Sequence, residues 1–378
     1  MIVGILKEQH GDKRVSLLPE QAQALAAKKV QVMVESNAGA AAFASDDAYR
    51  AVHIPTVSRK ELLQQSDVLL SIHPLSTTDL ELIKPHAVVI GVFQPLFNHA
   101  LMKEWAQRSL TTFSLDMIPR TTRAQSMDVL SSQANIAGYR SVLLAATLFP
   151  RYFPMFMTAA GSIAPAKVLI LGAGVAGLQA IATARRLGAV VEVSDTRPAV
   201  KEEVMSLGAK FIEVDGAADA SKAGGYAVEQ TEEYKQKQQE RLAASVAKSD
   251  IIITTAQIPG KKAPLLISEA MLDTMKPGSV IIDLAASTGG NVFAARNNET
   301  VQRNGVTIVG NSNLAADMPF DASKLYGKNV LNFLQLITGA DAELQLNFDD
   351  DIVKGSCITH GGNIVHERVE QLVGSSYA

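Results

Sequence analysis

Short apolar runs alternate with longer amphipathic stretches along most of this chain. Residues 2–6 (IVGIL) form an unbroken apolar run that reads as a buried strand, followed by a helix over 19–28 and a strand over 30–35. The series continues with a helix over 59–65, strands over 68–72 and 87–92, a helix over 99–107 and a strand over 111–114. A long helical stretch, 127–148, leads to a second series: strand 167–171, helix 176–187, and strands 190–194, 251–254, 279–283 and 306–309. Residues 326–338 read as a helix returning to the first domain. The alternation with acidic turns over 344–364 predicts a β hairpin there. Strands alternating with helices predict an α/β fold: two doubly wound parallel-sheet, Rossmann-like domains joined by long helices. The predicted boundaries are 1–128 plus 320–378 for a discontinuous first domain and 129–319 for the second. A chain of 378 residues is long enough for two cores.

The second series opens with chemistry. Residues 167–177 read KVLILGAGVAG, an apolar strand running straight into Gly172-Ala173-Gly174-Val175-Ala176-Gly177 and then a helix. The first glycine permits a tight turn, the second lets the backbone approach a pyrophosphate, and the third packs helix against strand. The helix N-terminus offers free N–H groups and a partial positive charge to the phosphates. Asp195 ends the next strand, 18 residues beyond Gly177, where a carboxylate can accept from both hydroxyls of an adenosine ribose and repel a 2′-phosphate. This spacing predicts NAD(H) as the cofactor. Thr196 and Arg197 follow, and an arginine at that point can also receive a 2′-phosphate. A Rossmann-like fold without a ligand is the plain alternative.

Composition excludes several classes. With 35 basic and 38 acidic residues the net charge is −3, unlike the basic footprint of a nucleic-acid binder. Hydrophobic residues make up 47% and charged residues 19%, an ordinary globular balance. The single cysteine, Cys357, excludes an intrachain disulfide and predicts a reducing compartment. The N-terminus lacks the apolar core of a signal peptide, and no uncharged apolar run reaches the roughly 20 residues of a membrane span. The reading is therefore of a soluble chain. The seven histidines are scattered without metal-ligand spacing, so no metal is predicted. Large apolar residues in PRYFPMFM (150–157) predict a domain or subunit seam and a homodimer. The acidic triplet Asp349–Asp351 reads as a solvated turn.

Outside the glycine loop, several segments carry a resemblance. They are MIPRTTRAQSMDVLSSQANIAGYRSV (117–142), DTRPAVKEEVMSLGAKF (195–211), AGGYA (223–227), TTAQIPGKKAPLLI (254–267), DLAASTGGN (283–291) and LYGKN (325–329). Together with the N-terminal GILKE they make the chain similar to the NAD(H)-binding component, domain I, of proton-translocating NAD(P) transhydrogenase. The resemblance covers nearly the whole chain. It implies that Arg120 and Asp128 bracket the nicotinamide carboxamide, that Gln125 reaches the nicotinamide ribose, and that Ser131 supports Asp128. On spacing alone this loop reads as a helix N-cap region with solvated charges; the resemblance reverses that reading. The resemblance further implies that Gly225 and Tyr226, in a stretch running from 215 to 239, belong to a mobile loop that closes over nucleotide, and that Ala256 lies beside the cofactor. Implied partners are a second copy, an NADP(H)-binding domain and membrane-spanning subunits, with the chain held peripherally on the cytoplasmic face of the inner membrane.

Alanine dehydrogenase shares the fold and is the alternative. That family keeps Arg14 against a substrate carboxylate, but also needs a lysine and a histidine where this chain carries Ile72-His73-Pro74 and Phe93-Gln94-Pro95. Oxidising an amino acid requires a positioned general base, whereas passing a hydride between two nicotinamide rings moves no proton at the reacting carbons. A third possibility is an NAD-sensing module without turnover.

Overall fold

The computed structural model describes residues 1–9, 11–213 and 232–375. The chain divides into two compact units: Met1–Gln133 together with the segment from Ala316 onward, and Ala134–Ala315.

The first unit contains β1 (Ile2–Ile5), β2 (Gln31–Glu35), β3 (Thr56–Val57), β4 (Val68–Leu70), β5 (Val88–Gly91) and β6 (Thr111–Ser114). They pair in the order β3-β2-β1-β4-β5-β6, all parallel. The central strands are apolar throughout because helices cover both sheet faces. Val3, Ile5, Val68, Leu70, Val88, Ile90 and Phe113 join one core cluster, while Leu69 and Val89 join another. The tail adds Cys357–His360 antiparallel to β6, and Asn363–Ile364 antiparallel to it. The predicted hairpin thus exists, but only over its last part. Asp350 intervenes: its carboxylate accepts from the amides of Ile352 and Val353 and caps a short helix, Asp351–Ser356.

The second unit contains an antiparallel hairpin, β7 (Phe156–Thr158) and β8 (Gly161–Ile163), after the helix Val129–Leu148. Its main sheet comprises β9 (Lys167–Leu171), β10 (Val190–Ser194), β11 (Lys210–Phe211), β12 (Ile251–Thr254), β13 (Val280–Asp283), β14 (Glu299–Arg303) and β15 (Val306–Gly310). The order is β11-β10-β9-β12-β13-β15-β14, parallel except for the edge strand β14. The strand order reverses between β9 and β12, and open α/β sheets bind ligands in the crevice beyond the carboxyl ends of such strands. The stretch 215–239, read as a loop, ends inside a helix, Glu232–Val246.

Candidate functional site

The glycine loop follows directly from β9. Gly172 has φ +102, a region closed to most side chains, and the helix Val175–Arg186 starts three residues later. A Cβ at Gly177 would collide with the carbonyl oxygen of Gly172, so the third glycine sets how closely the helix meets the turn. At Gly174 a Cβ would meet nothing within 4 Å; the backbone there faces open space. No side chain caps the helix at Gly174, and Val175 is exposed. These features fit a pyrophosphate: approachable backbone, available N–H groups and the positive end of a helix dipole.

Asp195 lies at the end of β10 and is tied to this loop. Its carboxylate accepts from the Ala173 amide at 2.7 Å, from the Arg197 amide at 2.8 Å, and from Nε and Nη2 of Arg197 at 2.9 and 2.7 Å. Burial pushes the Asp195 carboxyl up, but Arg197 and the backbone N–H groups outweigh it and hold the group below the usual carboxylate range. Asp195, Arg197 and Ala173 therefore form one cluster, with Thr196 half-buried between them.

Across the switch point, Thr255 donates its hydroxyl to the carbonyls of Leu171 and Gly172. Ala256 is held on both sides by Asn291, whose amide oxygen accepts from the Ala256 N–H at 3.1 Å and whose Nδ2 donates to the Ala256 carbonyl at 2.9 Å. Gln257, next in the chain, donates to the carbonyl of Leu284. Behind them sits Asp283, fully buried, accepting from the Thr254 hydroxyl and from the amides of Ala285, Asn291 and Val292. Burial pushes its carboxyl above the usual range despite these donors. The DLAASTGGN segment pointed to this region, but the scaffolding roles of Asp283 and Asn291 are visible only once the strand ends are assembled.

In the first unit, Arg120 and Gln125 are exposed on the loop after β6. Asp128 accepts from the Ser131 amide at 2.9 Å and the Ser131 hydroxyl at 2.6 Å. It thus caps the first turn of the helix Val129–Leu148. The loop is pinned by residues that the sequence reading left aside. Arg123 donates to both oxygens of Asp350 at 2.6 and 2.8 Å and also pairs with Asp351. Asn329 and Asn332 donate to the carbonyl of Ser126. Within the acidic triplet Asp349 is exposed in a turn, as read, whereas Asp350 is both helix cap and ion-pair partner. Gly225 and Tyr226 lie outside the described residues.

A second polar cluster lies beyond the carboxyl ends of β1 and β4. Arg14 donates to Asp12 through Nε at 3.0 Å and Nη2 at 2.6 Å, and to Gln133 at 2.9 Å. His73 Nε2 lies 2.7 Å from the same Asp12 carboxylate. Glu8, buried behind them, accepts from the amides of Ile72 and His73, and burial pushes its carboxyl up to about 7. The folded chain therefore holds this proton more tightly than the unfolded chain. The stability it contributes is full below the ordinary value of 4.5 and is lost as pH rises through 7. Relative to the parent, Glu8→Gln is expected to gain about 3 kcal/mol between pH 4.5 and pH 8. Urea titrations of both proteins at the two pH values check this.

The matches to known proteins agree with this architecture. Residues 4–137 match the family model for the alanine dehydrogenase/PNT N-terminal domain, and residues 141–367 match that for the C-terminal domain. The chain is 45% identical over 370 residues to the first part of NAD(P) transhydrogenase subunit alpha from Rickettsia prowazekii, covering 97% of this chain and 96% of that one. The chain belongs to the NAD(P) transhydrogenase alpha-subunit family. Its fold superposes on a crystal structure of transhydrogenase from Sinorhizobium meliloti with a TM-score of 0.88 at 43% identity, covering 97% of this chain and all of that one. An L-alanine dehydrogenase structure has the same fold, with a TM-score of 0.82 at 21% identity over 99% of both chains. Among the described residues of this family member, no helix is long and apolar enough to cross a membrane.

Proposed function

We propose that this chain binds NADH and delivers its hydride to NADP+ held on a separate NADP(H)-binding domain, as one component of a proton-translocating transhydrogenase. The observation that carries the reading is the glycine turn at the end of β9, open at Gly174 and tied to Asp195, in a chain 45% identical to a transhydrogenase subunit. The hydride and its electron pair pass from C4 of the dihydronicotinamide to C4 of the acceptor ring, so NADH becomes NAD+ and NADP+ becomes NADPH.

The chain's own residues bind and orient. The loop 172–177 receives the pyrophosphate and Asp195 the adenosine ribose, with Thr196, Arg197 and Ala256 lining the nucleotide. Arg120 offers a donor fork to the carboxamide oxygen, Asp128 an acceptor to its NH2, and Gln125 reaches the ribose. Ser131 fixes Asp128 in place. Gly225 and Tyr226, which lie outside the described residues, belong to the nucleotide-binding set that the resemblance implies. Orientation of two rings supplies the rate through proximity, with no acid or base required at the reacting carbons.

Two copies associate through the β7–β8 hairpin. Met155, Phe156 and Met157 stand exposed there, Met157 to 74%, beside a cleft of about 680 Å³ lined by Phe149, Pro150, Tyr152 and Ile163 together with the polar Arg151 and Ser162. Large exposed apolar side chains clustered in this way suit an interface. Membrane-spanning subunits hold the protein on the cytoplasmic face of the inner membrane.

One observation weighs against the alanine dehydrogenase reading. Arg14, which that family sets against a substrate carboxylate, is here paired with the chain's own Asp12, whose side chain is 2% exposed. The purified chain with NADH, pyruvate and ammonium is expected to oxidise no NADH. Mixed with an NADP(H)-binding domain and NADP+, it is expected to form NADPH. Pyruvate-dependent oxidation by the chain alone would establish the dehydrogenase instead, and tight NADH binding without turnover in either assay would leave a binding module.

A further inference from the structure

Asp195 has no acceptor position to spare. An ionised carboxylate offers about four lone-pair positions. Here one oxygen accepts from the Ala173 amide and Arg197 Nη2, and the other from the Arg197 amide and Nε. Two of these donors are backbone N–H groups fixed by β9 and β10. The other two belong to one side chain on rotatable bonds, whose guanidinium places a pair of N–H groups against the two oxygens. A vicinal diol presents paired donors to a carboxylate in the same way. The Asp195 side chain is 5% exposed and that of Arg197 23%, so Arg197 is the member of the pair that has solvent to move into.

We infer that Arg197 is a selectivity latch for the nucleotide: its guanidinium occupies Asp195 in place of the adenosine ribose diol and leaves when the diol of NADH binds. This rests on the NADH reading above. The latch acts in two ways. It competes with every ribose that binds, so part of the binding free energy goes to breaking two charge-assisted hydrogen bonds. It also withholds a guanidinium from any 2′-phosphate. NADPH meets a carboxylate whose neighbouring cation is already engaged, whereas a chain without Asp195 presents that cation to the phosphate.

The test is equilibrium binding of NADH, NADPH and AMP to the full chain, followed by calorimetry, with circular dichroism melts of each variant. AMP carries the ribose diol without the nicotinamide. Arg197→Met keeps side-chain length and removes the donors; it is expected to bind AMP and NADH about threefold to tenfold more tightly than the parent. Asp195→Ala is expected to reverse preference toward NADPH, and Asp195→Ala/Arg197→Met to lose that gain. Weaker or unchanged AMP binding by Arg197→Met would overturn the latch, as would NADPH gain that survives in the double variant. Should Asp195→Ala melt below the parent because the Ala173 amide loses its acceptor, the Arg197→Met result decides alone. A parent chain that binds neither NADH nor AMP would instead remove the NADH reading itself.

Discussion

A Gly177→Ala chain is expected to bind NADH about a hundredfold more weakly than the parent while keeping its first unit intact. The methyl group would collide with the carbonyl oxygen of Gly172, a backbone atom that has nowhere to go because Gly172 already sits at φ +102 and is hydrogen-bonded through its amide to Ser194. Relief requires the helix Val175–Arg186 to shift away from β9. That shift drags the N–H groups at its start out of position for a pyrophosphate. Overpacking of this kind also costs about 1–3 kcal/mol of stability. Calorimetry gives the affinity, and a thermal melt separates local from global loss. Gly174→Ala is the control. A Cβ at 174 meets nothing in the folded chain, so this variant is expected to fold normally and to weaken NADH alone. Equal loss of stability in both variants would contradict the assignment of separate roles to the two glycines.

Asp283→Ala is expected to destabilise the second unit by about 4 kcal/mol or more, among the largest effects available to a single substitution. Four buried donors lose their acceptor together: the Thr254 hydroxyl and the amides of Ala285, Asn291 and Val292. The backbone of Asn291 would lose an anchor, and its side chain is the one that clamps Ala256 and donates to the Pro264 carbonyl. Nucleotide binding is expected to fall with stability. Asp283→Asn keeps the volume but turns an NH2 group toward a backbone N–H, so an intermediate loss is expected. Denaturant unfolding of the three proteins orders them. A stable Asp283→Ala chain would show that these donors find other partners and that the strand ends are not organised around this carboxylate.

The elements legible in the sequence were those whose hydrophobic pattern was set by burial on two faces. β9, with Val168 to Leu171 all buried, and the all-buried β12 and β13 were readable as apolar runs. Their α/β arrangement followed from the alternation with helices. β14 was not legible, because Glu299–Arg303 is a polar edge strand held by antiparallel pairing with β15 rather than by a buried face. The β7–β8 hairpin was hidden for a related reason. Its residues are all exposed, with Phe156, Met157 and Ile163 mixed among Thr158, Gly161 and Ser162, so no buried face marks the strands. In the tail, three consecutive aspartates looked like a turn, and only the fold shows Asp350 serving a helix and Arg123 at once.

The candidate site divides along the same line. Gly172, Gly174, Gly177 and Asp195 were readable because each answers a backbone or charge requirement at a fixed spacing. Among the residues that hold the loops in place, Thr255 and Arg123 act through partners far away in sequence, Asn291 reaches back to Ala256 and Pro264, and Asp283 ties Thr254 to the turn that follows its own strand. Arg123 and Asp350, for example, are separated by 227 positions. No local pattern encodes such a pair. The saturation of Asp195 by Arg197 was likewise invisible, since spacing two residues apart marks a neighbour without showing that every acceptor is taken.

The account stands on transfer of a hydride from ring to ring with no proton exchanged at carbon. Its most direct test uses NADH deuterated at the transferred C4 position, mixed with this chain, an NADP(H)-binding domain and NADP+ in ordinary water. The expected result is NADPH that carries all of the transferred deuterium, with none released to solvent. Deuterium appearing in water, or on alanine when pyruvate and ammonium are supplied without the partner domain, would contradict it.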